Sequence, residues 1–299
     1  ALPAIFNGLP AHPTTSIVKY PHKMENLPFL SSDFKNADYY TGFTYGGDIN
    51  FAGMRAFLAN GDFDQIYTFD EKNYGHESLG KWGLHDHIVF REFYEQIESS
   101  PRPFFHAILT LSNHEPFDIP VKPVFPAQNQ KDKFLNAAHY TDQVLGEFIQ
   151  KAKTADWWDS TLIIIIADHG SRHPDNTAHH DFKRFHIPML WLGGALEIND
   201  TVITQCASQT DLSVTLLNQT GCRDDISSYV FSKDIFSEKK ENFAFYDFNN
   251  GFGLISEDHI LIFDNNKNDF IRRTGYFTEH DLDKAKAFMQ MISRTYNDL

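Results

Sequence analysis

The feature that most constrains the fold is an unbroken aliphatic run at residues 162–166, which ends in Asp168-His169-Gly170. Such a run without polar alternation is typical of a strand that helices bury on both faces. In open α/β sheets, ligands bind beyond the carboxyl ends of the strands. An Asp and a His at that place are ordinary ligands for a divalent ion, although the same sequence is about as typical of a helix cap beside a structural histidine.

A second buried strand is predicted at residues 104–111, and it too ends in a polar cluster, which contains Ser112 and His114. The longest helix, predicted at residues 131–154, would connect this strand to the first as a right-handed parallel unit. Because the carboxyl ends of parallel strands lie at the same edge of a sheet, the two polar clusters should meet in one crevice. This makes His114 a stronger candidate than an isolated histidine.

Two further stretches carry candidate binding residues. A strand at residues 37–45 runs into a turn that contains Asp48, and the helix predicted at residues 50–60 places Arg55 off its apolar stripe. Arg55 is either a solvated charge or a clamp for a phosphate or sulfate group, which a guanidinium fork matches. The loop after Asp168 holds four histidines, at positions 173, 179, 180 and 186. Histidine is the commonest metal ligand and proton carrier near neutral pH, so at least one should serve the site.

Composition narrows the class of protein. With 299 residues, of which 41% are hydrophobic and 22% charged, the chain can bury a large core in one domain, or in one domain plus a subdomain. A formal charge of −14 and the lack of a basic stripe argue against nucleic-acid binding. No run approaches the roughly 20 apolar residues of a membrane-spanning helix. Cys206 and Cys222 could form one disulfide or remain two buried thiols, so they do not settle the compartment.

The pattern changes near the C-terminus. Residues 243–273 alternate between short aromatic or aliphatic segments and polar turns, which is typical of an antiparallel meander. A final helix is predicted at residues 281–296. The expected architecture is a parallel α/β layer in residues 1–225, followed by a smaller antiparallel subdomain in residues 226–299.

Several motifs together resemble the alkaline phosphatase and sulfatase superfamily: ADHG and LSNHEPF after two hydrophobic strands, FHIPMLWLGG, and SQTDLSVTLLNQTG. More narrowly, they resemble the membrane-anchored branch that contains lipoteichoic acid synthase and the phosphoglycerol transferases of periplasmic glucans, which YGGDINFAGMR and WGLHDH also fit. The resemblance covers nearly the whole chain. It implies an α/β fold with an alkaline phosphatase-like parallel sheet between helices and a smaller C-terminal antiparallel α+β subdomain.

The resemblance also implies roles for particular residues. Asp168 and His169 match the metal-binding pair of the family. His114 matches a histidine of the substrate pocket, where it would be the catalytic acid or base. Arg55 and Asp48 match the polar residues that hold the glycerol phosphate head group.

Other positions are related to the family less directly. His180 and His186 lie in the loop from which relatives bring further histidines to the pocket, and we expect them to bind substrate. The synthase has a tryptophan near the position of Gly53, where this chain lacks a side chain. The Thr or Ser nucleophile of the family, an acidic metal ligand and the membrane helices are expected upstream of Ala1.

The implied function is a metal-dependent transfer of glycerol phosphate from phosphatidylglycerol to a glycan or polyglycerol phosphate acceptor, through a Thr- or Ser-linked intermediate. Mn²⁺ is the expected metal, with Zn²⁺, Mg²⁺ and Ca²⁺ as alternatives. The resemblance implies an anchor in the bacterial inner membrane, with this domain in the periplasm or outside the cell, and we expect the protein to be a monomer.

Two other functions remain open at this point. A sulfatase or phosphodiesterase would use the same fold and release its product to water, although the Cys/Ser-x-Pro-x-Arg motif of sulfatases is absent from the chain. A metal-stabilised binding module of the cell surface would need no nucleophile.

Overall fold

Parallel strands form the centre of the larger, N-terminal part of the chain, and antiparallel strands form its C-terminal part. The computed structural model describes residues 1–198, 200–223, 225–237, 243–276 and 278–299. Within these residues the strands are β1 Tyr40–Tyr45, β2 Gln65–Thr68, β3 Leu79–Gly80, β4 Gly83–Leu84, β5 Phe104–Leu109, β6 Ile163–Ile166, β7 Met189–Leu192, β8 Phe243–Phe248, β9 Gly251–Ser256, β10 His259–Asp264 and β11 Asp269–Gly275. The α-helices are α1 Leu2–Asn7, α2 Pro21–Met24, α3 Leu30–Asn36, α4 Met54–Asn60, α5 Asp86–Ser99, α6 Gln130–Ala152, α7 Asp211–Thr220 and α8 Glu279–Asp298.

β1 lies in the middle of the parallel sheet, which has the strand order β2-β1-β5. Its residues alternate between two faces, as in any strand. Phe43 points into a cluster with residues of α1, α3 and α4. The next side chain, Thr44, donates a hydrogen bond to Gln96 of α5. Helices therefore cover both faces of this sheet, as the sequence predicts.

β6, the strand of four isoleucines, is paired differently from the prediction. It pairs with β7 in antiparallel register, from Ile163 opposite Leu192 to Ile166 opposite Met189. Its other edge pairs with no strand in the described ranges, so the predicted parallel unit of β5, α6 and β6 is wrong. The antiparallel pairing with β7 has a local cause, because the loop after β6 turns back and brings β7 directly alongside one edge of β6.

β6 nevertheless contributes to the same two clusters as β5. Ile163 packs with Phe104 and Ile108 against the cluster between α5 and α6, whereas Ile164 packs against the larger cluster on the opposite side. The four isoleucines are half-buried, so the expected full burial is not reached. Apolar contacts on both faces explain why the run has no polar alternation.

The C-terminal strands form an antiparallel sheet in the order β11-β10-β9-β8, and α8 covers one of its faces. Phe252, Leu254 and Leu261 form a cluster that Ala285 of α8 closes. Tyr296, near the end of α8, reaches the core of the larger layer. The expected meander and final helix are confirmed, whereas the division of the chain at residue 225 remains a prediction.

Two further findings concern the helices and the cysteines. Among the described residues, no helix combines the length and the apolar character needed to cross a membrane. Cys206 and Cys222 are half-buried free thiols, so the disulfide alternative is not realised. Free thiols alone do not identify a compartment.

Candidate active site

The metal-binding pair predicted by the sequence lies just beyond the end of β6. The Nδ1 atom of His169 is 2.9 Å from the carbonyl oxygen of Gly170, and a hydrogen bond there requires the proton on Nδ1. Nε2 then carries a lone pair, and it lies 3.4 Å from Oδ2 of Asp168. Two lone-pair atoms at this separation suit a shared cation, because ligands about 2.1 Å from a tetrahedral ion are about 3.4 Å apart. A doubly protonated ring would instead form an ion pair with Asp168.

The donor set in the described residues is incomplete. Asp168 and His169 are the donor types that Zn²⁺ or Mn²⁺ accepts, and both side chains are exposed to solvent. No group of three His, Cys, Asp or Glu side chains suited to a metal occurs in the ranges that the structure describes. The pair therefore fits part of a metal site, and further ligands would have to come from other residues or from substrate.

The backbone around this pair is fixed by two contacts. The side-chain amide of Gln209 donates to the carbonyl oxygens of Ala167 and Asp168, over 2.9 and 2.8 Å. A Cβ atom at Gly170 would lie 1.8 Å from the backbone oxygen of Arg184. Gly170 is therefore required by a close backbone approach, because any side chain there would meet the backbone oxygen of Arg184.

The first residue of the chain lies near the same carboxylate. The charge of the Asp168 carboxylate acts on the backbone nitrogen of Ala1. Any residues that precede Ala1 would therefore start close to Asp168.

The second polar cluster carries His114 in a turn after β5. The backbone N–H of His114 donates to the carbonyl oxygen of Leu111 over 3.0 Å. The His114 ring packs edge-on against Trp82, with the ring centroids 4.6 Å apart. Together with His85, Ser112 and Asp118, these rings line a cavity of about 10 Å³, which is room for about one water molecule.

Glu115 connects the two polar clusters. It accepts hydrogen bonds from Nη2 of Arg172 over 3.0 Å and from Nε2 of His173 over 3.2 Å. The bond from His173 and the Arg172 guanidinium hold the pKa of this carboxyl below its ordinary value. The loops after β5 and β6 therefore meet, as the sequence predicts, although their strands do not form one parallel unit. Glu115 was missed as a linking residue, and its position directly after His114 was the only sequence signal.

Arg55 and Asp48 are brought together through Asn50. Asp48 accepts hydrogen bonds from the backbone and side-chain nitrogens of Asn50, and Asn50 in turn accepts one from Nε of Arg55 over 3.0 Å. In the described part of the chain, no recorded bond engages the two terminal nitrogens of Arg55, so they can face an oxyanion. Phe51 packs against Trp82, with centroids 5.4 Å apart, and so joins this group to His114.

Gly53 has a structural reason to lack a side chain. Its φ angle is +79°, and a Cβ atom there would lie 2.9 Å from the backbone oxygen of Val18. The apolar side chain in this region is Phe51, which is 54% exposed. The chain therefore presents an exposed aromatic ring two residues before Gly53.

His180 and His186 are not brought to these groups by any contact recorded for the described residues. The backbone oxygen of His180 accepts a hydrogen bond from the Tyr246 hydroxyl over 2.9 Å, and its ring lies 6.2 Å from that of Phe248. The histidine-rich loop thus packs against the C-terminal sheet. The substrate-binding roles of both histidines remain predictions.

A larger cavity of about 500 Å³ lies beside α7, where Cys206, Asp211 and Lys233 are among its lining residues. None of the residues predicted to form the site lines this cavity. Size alone therefore does not mark the candidate site, which is defined by its convergent polar groups.

Comparisons with known proteins agree with the family that the motifs indicate. The family model for sulfatases matches residues 1–222. The lipoteichoic acid synthase-like YvgJ of Bacillus subtilis is 23% identical over 236 residues, which is 72% of this chain and 38% of YvgJ. Phosphoglycerol transferase I of Xanthomonas campestris is 26% identical over 154 residues, 47% of this chain and 21% of that protein. The chain thus spans only 21% to 38% of the length of these relatives.

Solved structures agree with the fold. A protein of the alkaline phosphatase superfamily from Vibrio parahaemolyticus is 27% identical, with a TM-score of 0.81 over 99% of this chain and 74% of that chain. The lipoteichoic acid synthase LtaP of Listeria monocytogenes is 18% identical, with a TM-score of 0.80 over 99% of this chain and 79% of LtaP. The second likeness concerns the fold alone. The resemblance inferred from the motifs is confirmed, and the chain belongs to the sulfatase family, with the fold of the alkaline phosphatase superfamily.

Proposed function

We propose that the protein is a metal-dependent phosphoglycerol transferase, which moves glycerol phosphate from phosphatidylglycerol to a glycan or polyglycerol phosphate acceptor. The observation that carries this proposal is the pair of convergent donors, Nε2 of His169 and Oδ2 of Asp168, 3.4 Å apart beside a loop that reaches the His114 turn. The names of the relatives, lipoteichoic acid synthase and phosphoglycerol transferase, support this substrate class.

Asp168 and His169 would hold the metal, with Mn²⁺ as the first candidate and Zn²⁺, Mg²⁺ and Ca²⁺ as alternatives. A bound divalent ion would supply charge neutralisation at the phosphoryl oxygens and lower the pKa of a nucleophilic hydroxyl. The Nδ1 bond of His169 to Gly170 fixes the ring orientation for this task.

Arg55, oriented by Asn50 and Asp48, would bind the phosphate group of the donor. A guanidinium fork offers two parallel hydrogen bonds to an oxyanion, and its charge opposes the negative charge that builds up during transfer. Asp48 would orient the Arg55 guanidinium through Asn50, and its carboxylate would accept a hydrogen bond from a glycerol hydroxyl.

The transfer itself needs a hydroxyl nucleophile, which we assign to a Thr or Ser upstream of Ala1 by resemblance to the family. The hydroxyl would lose its proton to solvent, and its oxygen would form a bond to phosphorus while the bond to the diacylglycerol oxygen breaks; diacylglycerol would leave with the proton that His114 gives. An acceptor hydroxyl would then attack the same phosphorus while the bond to the enzyme oxygen breaks, and that oxygen would take a proton from solvent. His114 would give the proton in the first step and take one in the second.

We further propose that the protein works at the bacterial inner membrane, with this domain in the periplasm or outside the cell. The polymers named in its relatives belong to the cell envelope. A formal charge of −14 does not favour docking to an anionic bilayer, so an upstream anchor would bring the site to its lipid donor.

The test combines metal content and turnover of fluorescent phosphatidylglycerol, measured on the full-length enzyme. Release of diacylglycerol in step with phosphoglycerol on the acceptor supports transfer. We expect Asp168→Ala to lose both bound metal and turnover, whereas Asp298→Ala, an exposed aspartate of α8, should keep both.

Other outcomes would change the proposal. Free glycerol phosphate without acceptor product would indicate a hydrolase of the same family. Normal turnover by Asp168→Ala would contradict the metal assignment, and a wild-type protein without metal or turnover would leave only the surface-binding module.

A further inference from the structure

The segment at residues 82–86, Trp-Gly-Leu-His-Asp, contacts the His114 turn at two points. The first contact is made by Asp86, whose side chain is fully buried, with 0% exposure. Its Oδ1 atom accepts hydrogen bonds from the backbone N–H groups of Leu111, over 3.1 Å, and Ser112, over 3.0 Å. Its Oδ2 atom accepts one from the Thr141 hydroxyl of α6, over 2.9 Å. Three donors at one buried carboxylate make a strong and directional anchor.

These bonds act at the start of the turn that carries His114. The hydroxyl of Ser112 accepts the backbone N–H of Asp86 over 3.1 Å, so the two segments are bonded in both directions. The N–H of His114 returns to the carbonyl oxygen of Leu111. The position of the His114 backbone therefore depends on Leu111, whose own N–H is bonded to Asp86.

The second contact is made by Trp82. Its indole N–H donates to the carbonyl oxygen of Glu115 over 2.6 Å, and its ring packs edge-on against His114. The imidazole ring thus has a fixed neighbour on the side of the β3–β4 turn.

The same segment is bonded to the loop after β1. The N–H of Leu84 donates to the carbonyl oxygen of Gly46 over 3.0 Å. Gly83 has a φ of +139°, and a Cβ atom there would lie 2.2 Å from that oxygen. Since Gly46 lies two residues before Asp48, the segment connects the proposed phosphate-binding loop to the His114 turn.

We propose that Asp86 and Trp82 are positioning residues that set the distance between His114 and the Arg55 group. Neither side chain needs to touch substrate for this role. The role of His114 in transfer rests on the proposed function, whereas its placement by Asp86 and Trp82 does not.

The activity test is a double-mutant cycle in the full-length enzyme. Asp86→Ala should lower kcat by about 100-fold, the loss typical of a small misplacement in an active site, with little change in the KM of the lipid donor. Asp86→Asn should restore most of kcat, because its amide oxygen can still accept the Leu111 and Ser112 N–H groups. In a His114→Ala background, Asp86→Ala should cost little further activity.

The control for a purely structural effect is Asp33, a second buried carboxylate, which accepts bonds from Tyr229 and Arg223. Asp33→Ala should lower stability without changing kcat per folded molecule. An equal loss of kcat from Asp86→Ala with and without His114 would overturn the positioning role.

A second readout does not depend on activity. In histidine-labelled protein, the His114 ring signals should be shifted by the adjacent Trp82 ring, and the shift should shrink in Asp86→Ala but persist in Asp33→Ala. Should Asp86→Ala fail to fold, Thr141→Val removes one bond of the Asp86 anchor and should reduce the same shift. Unchanged His114 signals in these folded variants would refute the proposal, even for a protein that turns over no phosphatidylglycerol.

Discussion

Gly170 has no room for a side chain, because the backbone oxygen of Arg184 lies where its Cβ would be, at 1.8 Å. The neighbour is backbone rather than a flexible side chain, so the histidine-rich loop itself would have to move. The conformation of Asp168 and His169 thus depends on a residue without chemistry of its own. Gly170 is required by this close contact rather than by its backbone angles, because its φ is not positive.

Gly170→Ala should lower the free energy of unfolding by about 2 kcal/mol or more, as overpacked sites do, and should weaken metal binding. Gly146 is the matched control, because nothing lies within 4 Å of its Cβ position in α6. Gly146→Ala should raise stability by up to about 1 kcal/mol through helix propensity. Urea denaturation of both variants checks this, and equal effects would contradict the contact argument.

At the scale of elements, the site depends on contacts between loops rather than on strand pairing. Glu115, after β5, binds Arg172 and His173, after β6. The His173 side chain is 9% exposed and packs against Phe117 and Phe134. This joins the loop after β6 to the turn after β5, although β5 and β6 do not pair.

The Glu115 contact should be sensitive to acid. Because its folded-state pKa is below the ordinary value of 4.5, the contact contributes stability above that value and loses it as pH falls through the lowered pKa. The carboxyl is 48% exposed, so screening should limit the effect to about 1 kcal/mol or less. Glu115→Gln should remove this acid-dependent component from a stability–pH curve. A curve that is identical in wild type and variant would count against the contact.

At the scale of the whole molecule, the C-terminal sheet supports the histidine-rich loop of the larger layer. The Tyr246 ring stacks on Phe185 with centroids 4.2 Å apart, and its hydroxyl donates to the backbone oxygen of His180. Burial raises the pKa of the Tyr246 hydroxyl well above its ordinary value, so it remains a donor over the physiological range. A Cβ atom at Gly253, on the paired strand, would collide with this ring.

Tyr246→Phe should cost about 1 kcal/mol by removing one hydrogen bond, whereas Tyr246→Ala should also release the loop. Hydrogen exchange at residues 179–186 should then become faster in the Ala variant and change little in the Phe variant. Tyr276→Ala is the control, since that side chain is 81% exposed. Unchanged exchange in Tyr246→Ala would show that the sheet does not hold the loop.

The family, the α/β class and the stretches that carry the polar groups could all be predicted from the sequence. Local patterns suffice for this, because aliphatic runs, helical periodicity and polar residues at strand ends are properties of adjacent residues. The same local information predicted that the turn with His114 and the loop after Asp168 would meet.

How these segments pair depends on the packing of the whole chain. The four isoleucines of β6 are compatible with a parallel or an antiparallel partner, and only the path of the loop places β7 beside them. Likewise, the link of Glu115 to Arg172, the anchor of Asp86 and the contact of Gly170 with Arg184 join residues that are distant in sequence. No local pattern specifies such contacts, because each depends on the packing of the whole chain.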